Sequence, residues 1–63
     1  MTAAELRLLP MLSTHLTVDE IAAEMYLSRH TIKAQGRSIY RKLDANSRSQ
    51  AVARARELGL LEG

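Results

Sequence analysis

Basic residues recur at helical spacing after Ser28, and they are the side chains best suited to chemistry. Lys33 and Arg37 are four residues apart, about one turn of an α-helix, so both would project from the same side. Together with their neighbours they define what we call the cationic face: His30, Lys33, Ala34, Arg37 and Arg41. Lys and Arg donate hydrogen bonds to guanine O6 and N7, and Ala34 is short enough to pack against a thymine methyl. The pattern predicts contacts to DNA base edges.

Catalytic and metal-binding chemistry is not predicted. His15 and His30 lack a carboxylate and a nucleophile at spacings that would make a proton relay. The chain has no cysteine, which removes thiolate metal ligands and disulfides, and it has no Gly-rich phosphate loop. We therefore expect no enzyme activity, no metal and no cofactor.

A helix-turn-helix over residues 17–43 would position the cationic face. Its first helix, predicted at 18–25, has an apolar stripe: Val18, Ile21, Ala22 and Met25. About three residues then reverse the chain, the length expected of this motif, and Ser28 can cap the second helix. That helix, predicted at 29–43, has an aliphatic underside: Ile32, Ile39 and Leu43. A buried underside with Lys and Arg opposite suits a DNA groove.

Two further helices are predicted, at 3–12 and 48–58. Capping boxes start three of the four helices, at Thr2–Glu5, Thr17–Glu20 and Ser47–Gln50. Pro10 should bend or stop the first helix near Leu9, and Gly59 should end the last one. Ser47 and Arg48 would place free N–H groups and a guanidinium at one point, where a DNA phosphate could dock. Alternatively, Ser47 is only a cap and Arg48 only a surface residue.

Length and charge are consistent with one small nucleic-acid-binding domain. The chain has 63 residues and a net charge of +2. Residues 28–48 contain six basic side chains against one acidic, whereas residues 1–27 contain one against four. A charge run can be just a solvated face, but here it coincides with one helix of the motif. No signal peptide or membrane-spanning run is apparent, and we expect a cytoplasmic protein.

The ordered motifs TVDEIAAEMYLS, RHTIKAQGRSIYRKL and NSRSQAV resemble the LuxR-type DNA-binding domain. The resemblance implies an all-α, four-helix domain over residues 1–63, acting as the C-terminal effector domain of a LuxR- or MalT-like bacterial transcription regulator. It implies base contacts from His30, Lys33, Ala34 and Arg37, and homodimerisation through the fourth helix. It also implies phosphate contacts, and with the charge pattern the full set is Ser28, Arg29, Thr31, Arg41, Lys42, Ser47 and Arg48.

Several features leave alternatives open. Val52 and Arg56 should lie to one side of an inward stripe of Ala51, Ala55 and Leu58, where they could contact a second copy or simply be surface residues. The family commonly has His at Gln35 and a branched apolar residue at Gly36. Gln35 could donate to DNA or cap the core edge, and Gly36 suggests close approach of another helix.

Two other functions fit the same helices. The domain could dock on an acidic protein surface, such as RNA polymerase or a partner regulator. It could also be the promoter-reading domain of a sigma factor, although the Ser47–Arg48 element and the ending Leu58-Gly59-Leu60-Leu61 favour the LuxR type. The first of these would show little affinity for duplex DNA.

Overall fold

The computed structural model describes residues 1–62, which form four helices. These are α1 (Ala3–Leu12), α2 (Val18–Met25), α3 (Arg29–Lys42) and α4 (Arg48–Glu57). There is no strand in this part of the chain, and the predicted all-α, four-helix fold is confirmed. The predicted domain, 1–63, also includes Gly63, which lies outside the described residues. Helices α3 and α4 each end one residue before the predicted end, because Leu43 and Leu58 are caps.

Side-chain caps set the start of each helix. Thr2 and Thr17 form complete capping boxes, in which each hydroxyl accepts from the N–H of Glu5 or Glu20 and that glutamate accepts from the cap N–H. Ser28 caps α3 by accepting from the N–H of Thr31 at 3.1 Å. The third predicted box is only half right. Ser47 accepts from Gln50 N–H at 3.2 Å, but Gln50 Oε1 accepts from the N–H of Asn46 instead.

Left-handed residues end α2, α3 and α4. Tyr26, Asp44 and Gly59 have φ of 56°, 54° and 77°. The next residue in each case donates its N–H five positions back, as Leu60 does to Ala55 O at 2.8 Å. This is the Schellman arrangement, which normally uses glycine because a Cβ is strained at positive φ. Of the three residues, only Gly59 could be predicted from the sequence to end a helix in this way, because it is the only glycine.

Pro10 does not stop α1. The helix continues for two residues beyond it, to Leu12, which agrees with the predicted bounds of 3–12. Of the two expected effects of Pro10, a bend or a stop near Leu9, the stop is therefore wrong. Pro10 is exposed, whereas Leu8 and Leu9 are fully buried. A proline on the outer face removes one backbone hydrogen bond but leaves the buried face of the helix intact.

The core lies where all four helices meet, and its buried hydrophobic side chains are all aliphatic. Its largest fully buried side chains are Leu8, Leu9, Ile21, Ile32 and Ile39. In α4, Ala51 and Ala55 point inward as predicted, but the prediction for their neighbours is wrong. Val52 is only 8% exposed and joins the core, while Leu58 is 55% exposed. The inward stripe of α4 is therefore shifted toward Val52. Within residues 1–62, none of the helices combines the length and the hydropathy that a membrane span requires.

Candidate nucleic-acid interface

The cationic face of α3 is directed to solvent. His30, Lys33, Ala34, Arg37 and Arg41 are all exposed, whereas Ile32 and Ile39 on the opposite side are buried. Within residues 1–62, Lys33, Arg37 and Arg41 take part in no salt bridge and no side-chain hydrogen bond. The structure thus brings the four predicted base-contacting residues together on one open surface. Whether they touch bases stays a prediction.

Two other predicted phosphate ligands are paired within the domain. Arg29 Nε lies 3.4 Å from Asp19 Oδ1, and both side chains are well exposed, so this pair contributes little. Lys42 Nζ lies 2.7 Å from Oε1 of Glu5. Because Glu5 is only 3% exposed, Lys42 is bound to an almost fully buried carboxylate. Its ammonium is consequently less free to move to a phosphate than the exposed cations of the face.

Glu5 fixes the end of α3 against the start of α1. The hydrogen bond from Lys42, helped by the Ser38 hydroxyl and the Thr2 N–H, lowers the pKa of Glu5 to about 2. Hydrogen bonds to a charged form stabilise it, and here they outweigh the burial that would raise the pKa. The sequence suggested only the capping role of Glu5; its partner lies 37 residues away.

Arg48 has a structural role that neither interpretation of the sequence included. Its Nε donates to Leu12 O at 2.9 Å, and its Nη2 donates to Thr14 O at 3.0 Å and to Met11 O at 3.3 Å. These carbonyls end α1 and begin the following loop. The expectation of a guanidinium free for phosphate is therefore corrected, as is the alternative of a plain surface residue. A phosphate contact by Arg48 now has to be shared with these carbonyls.

Three predicted phosphate ligands have hydroxyls: Ser28 and Ser47 cap helices, and Thr31 is hydrogen-bonded to Ser28. Ser28 Oγ accepts from Thr31 N–H and lies 2.9 Å from the Thr31 hydroxyl. Ser47 Oγ accepts from Gln50 N–H and lies 3.3 Å from Ser49 Oγ. Ser28 and Ser47 are exposed and Thr31 is half-buried. Each hydroxyl keeps acceptor or donor capacity, so their phosphate contacts stay predictions.

The predicted dimer contacts behave differently from each other. Val52 is buried in the monomer, so its description as a residue on an exposed flank is wrong. Arg56 is exposed, and with His15 it lines an open depression of about 500 Å³ beside the start of α4. Of the two, only Arg56 has a side chain exposed to solvent.

Gly36 is buried, and a hollow lies beside it on the flank of α3. A Cβ built at Gly36 would meet only the ring of Tyr40, at 3.9 Å, so the expected close approach of another helix is wrong. The hollow has a volume of about 220 Å³, and we call it the Gly36 notch. It is lined by Leu12, Val18, Ile32, Lys33, Gly36, Arg37, Tyr40 and Arg48.

Gln35 lies at the edge of the core, which agrees with the second of the two roles expected for it, a cap on the core edge and not a donor to DNA. Its side chain is half-buried, and its Oε1 is buried without a hydrogen-bond partner among residues 1–62. An amide oxygen in this position does not face the surface that carries Lys33 and Arg37. Among the same residues, no three His, Asp or Glu side chains are grouped so that they could hold a metal ion.

Comparison with known proteins agrees with this geometry. The family model "Bacterial regulatory proteins, luxR family" matches residues 1–55. The chain is also 38% identical over 61 residues to the transcriptional regulatory protein YdfI of Bacillus subtilis (strain 168). That match covers 97% of this chain but only 29% of YdfI. No solved structure gave a significant match. With four helices and an open cationic α3 in place, the chain belongs to the luxR family of bacterial regulatory proteins.

Proposed function

We propose that this domain binds duplex DNA in a sequence-specific manner, with α3 in the major groove. The observation that supports this most directly is the state of Lys33, Arg37 and Arg41. They stand exposed on one helix without an intramolecular salt bridge among the described residues, while Ile32 and Ile39 hold the other side of that helix in the core. A DNA groove supplies the acceptors that these cations lack.

The residues divide into two groups by role. Lys33 and Arg37 donate to base edges, His30 adds a contact near the start of the helix, and Ala34 packs against a thymine methyl. Arg41 and the two cap hydroxyls, Ser28 and Ser47, meet phosphates, which adds affinity without sequence information. Arg48 adds positive potential because its partners are uncharged carbonyls, whereas the charges of Arg29 and Lys42 are offset by Asp19 and Glu5.

The wider assignment follows from the family. We propose that the domain is the DNA-binding part of a cytoplasmic transcription regulator that includes further sequence, as YdfI does. Homodimerisation on DNA through α4, with Arg56 at the contact, and contact with RNA polymerase belong to the same proposal. The arrangement of half-sites in selected DNA would test the dimer, because a two-fold dimer selects palindromes.

Arg37→Ala tests the base-reading role. A DNA site is first selected from a random duplex library, and affinity is then measured by fluorescence anisotropy on that site and on random duplex. We expect a loss of about fivefold to 150-fold on the selected site, corresponding to about 1–3 kcal/mol, and a much smaller loss on random duplex. Arg7→Ala, which removes an exposed cation from α1, is the matched control and should change both affinities little.

Two results would contradict the proposal. Equal losses on both DNAs from Arg37→Ala would remove the base-reading role. Wild-type protein that shows no salt-dependent affinity for any duplex would instead favour a protein-interaction module, because phosphate binding falls steeply as salt rises.

A further inference from the structure

The Gly36 notch combines an apolar floor with a cationic rim. Leu12, Val18 and Ile32 form the floor, and the rim comes from two helices that meet there, α3 and α4. The rim consists of Lys33, Arg37 and Arg48. At about 220 Å³ the hollow is far larger than the roughly 10–15 Å³ that a cavity needs to hold one water molecule. It is thus large enough to admit a chemical group from a partner.

Packing does not explain why residue 36 is glycine. Its φ is not positive, since among the described residues Gly59 is the glycine with that conformation. No backbone of another helix lies within 4 Å of the position of a Cβ, and the one neighbour is the Tyr40 ring at ordinary contact distance. Glycine is the poorest helix former apart from proline, so it weakens α3 at this point. Without a side chain at residue 36, the notch is bordered at this point by the backbone of α3 and by the Tyr40 side chain.

The charges around the notch indicate what fills it. Lys33 and Arg37 lie on both the cationic face and the rim of the notch, so DNA that meets one surface is adjacent to the other. A DNA strand presents an anionic phosphate next to the carbons of a deoxyribose, which complement the rim and the floor. We propose that the Gly36 notch receives one deoxyribose–phosphate unit of the DNA backbone. This inference rests on the proposed DNA-binding function.

Gly36→Val tests the notch by filling it. If one phosphate contact is lost, the slope of log affinity against log salt should fall by about 0.9, which at 0.1 M salt corresponds to about an eightfold loss. The loss should be the same on selected and on random duplex, because a backbone contact carries no sequence information. Ala23→Val, which adds the same side chain at an exposed position of α2, is the control and should leave binding unchanged.

A modified duplex locates the contact. Methylphosphonate is placed at one phosphate at a time in the selected site, which removes the charge of that phosphate. At the phosphate in the notch, the substitution should weaken wild type about eightfold and Gly36→Val hardly at all. Circular dichroism and urea unfolding check that the variant is folded. If valine prevents folding, Gly36→Ala allows the same comparison, because its Cβ has room beside Tyr40.

The outcomes separate this inference from the proposed function. If wild type binds DNA but Gly36→Val binds equally well, the notch is empty in the complex and the inference fails alone. A loss confined to the selected site also overturns it, because the valine would then have disturbed base contacts. If wild type does not bind duplex DNA, the proposed function fails and the notch proposal fails with it.

Discussion

Replacing Arg48 should destabilise the domain more than any phosphate-binding role would predict. Its guanidinium donates to the carbonyls of Leu12 and Thr14 at 2.9 and 3.0 Å. Leu12 is the last residue of α1 and Thr14 lies in the following loop, and their oxygens accept no other hydrogen bond within residues 1–62. Arg48 is half-buried, so water replaces it only in part. It joins the start of α4 to the end of α1, two elements far apart in the sequence.

The size of the effect follows from those two bonds. A net contribution of about 1 kcal/mol for each gives a loss of about 2 kcal/mol in the free energy of unfolding for Arg48→Ala. The third contact, to Met11 O at 3.3 Å, adds little because that oxygen also accepts from the Thr14 N–H and hydroxyl. For a domain of this size, about 2 kcal/mol lowers Tm by about 8–16 °C.

Urea unfolding followed by circular dichroism measures this loss, with two comparison variants. Arg48→Lys keeps the positive charge but lacks the fork that reaches two carbonyls, so it should lose about 1 kcal/mol, half the effect of alanine. Arg56→Ala removes an exposed cation from the same helix and should change stability by less than about 0.5 kcal/mol. DNA affinity of the same variants is measured in parallel.

The result for Arg48→Lys decides between the two roles. If the lysine variant is as stable as wild type, and only Arg48→Ala loses affinity for random duplex, Arg48 acts as a charge toward phosphate and the structural reasoning is refuted. Equal stability of Arg48→Ala and Arg56→Ala would refute it as well. A stepwise loss of stability from arginine to lysine to alanine is the pattern that the hydrogen bonds require.

Two further predictions concern stability. The pKa of Glu5 is lowered to about 2 from 4.5, so its ion pair with Lys42 should stabilise the fold above about pH 4.5, and this stabilisation should be lost as pH falls toward 2. Urea midpoints measured from pH 2 to pH 7 should show that loss in wild type, and an unchanged profile in Glu5→Gln would contradict it. Tyr26 is 94% exposed with φ of 56°, so Tyr26→Gly should raise the free energy of unfolding by about 1 kcal/mol. Thermal unfolding checks this, and a lower Tm than wild type would mean that the tyrosine ring makes a stabilising contact.

Local patterns were enough to predict most of the fold. The Thr2 and Thr17 boxes and the Ser28 cap place the starts of α1, α2 and α3 correctly, because a cap bonds to an N–H three residues away. The spacing of Ile32 and Ile39 correctly predicts which side of α3 is buried. The function class, a DNA-binding effector domain in transcription regulation, is confirmed through the luxR family. Each of these depends on residues that are close in sequence or on the ordered set of motifs.

The predictions are wrong where the burial or the hydrogen-bond partner of a residue depends on a part of the chain that is distant in sequence. Val52 directly follows Ala51, and Leu58 lies three residues after Ala55, so both are close to the inward stripe. Only the angle at which α4 packs determines which of the two is buried. The left-handed ends at Tyr26 and Asp44 carry no glycine to announce them. The partner of Lys42 is 37 residues away and the partners of Arg48 are 34 to 37 residues away. No spacing rule within a helix contains that information.

These distant contacts change the meaning of the charge pattern. Of the six basic residues in 28–48, Arg29 and Lys42 are paired with carboxylates and Arg48 is bound to carbonyls. On α4, Arg54 similarly donates to Leu43 O at 3.3 Å, at the end of α3. Cations near a helix C-terminus interact favourably with its carbonyls, so these side chains stabilise the bundle. The basic side chains of 28–48 that have no partner among residues 1–62 lie on the cationic face, and these are the ones available to DNA. The basic residues of 28–48 therefore have two roles: some hold α3 in the bundle, and the others are exposed on α3.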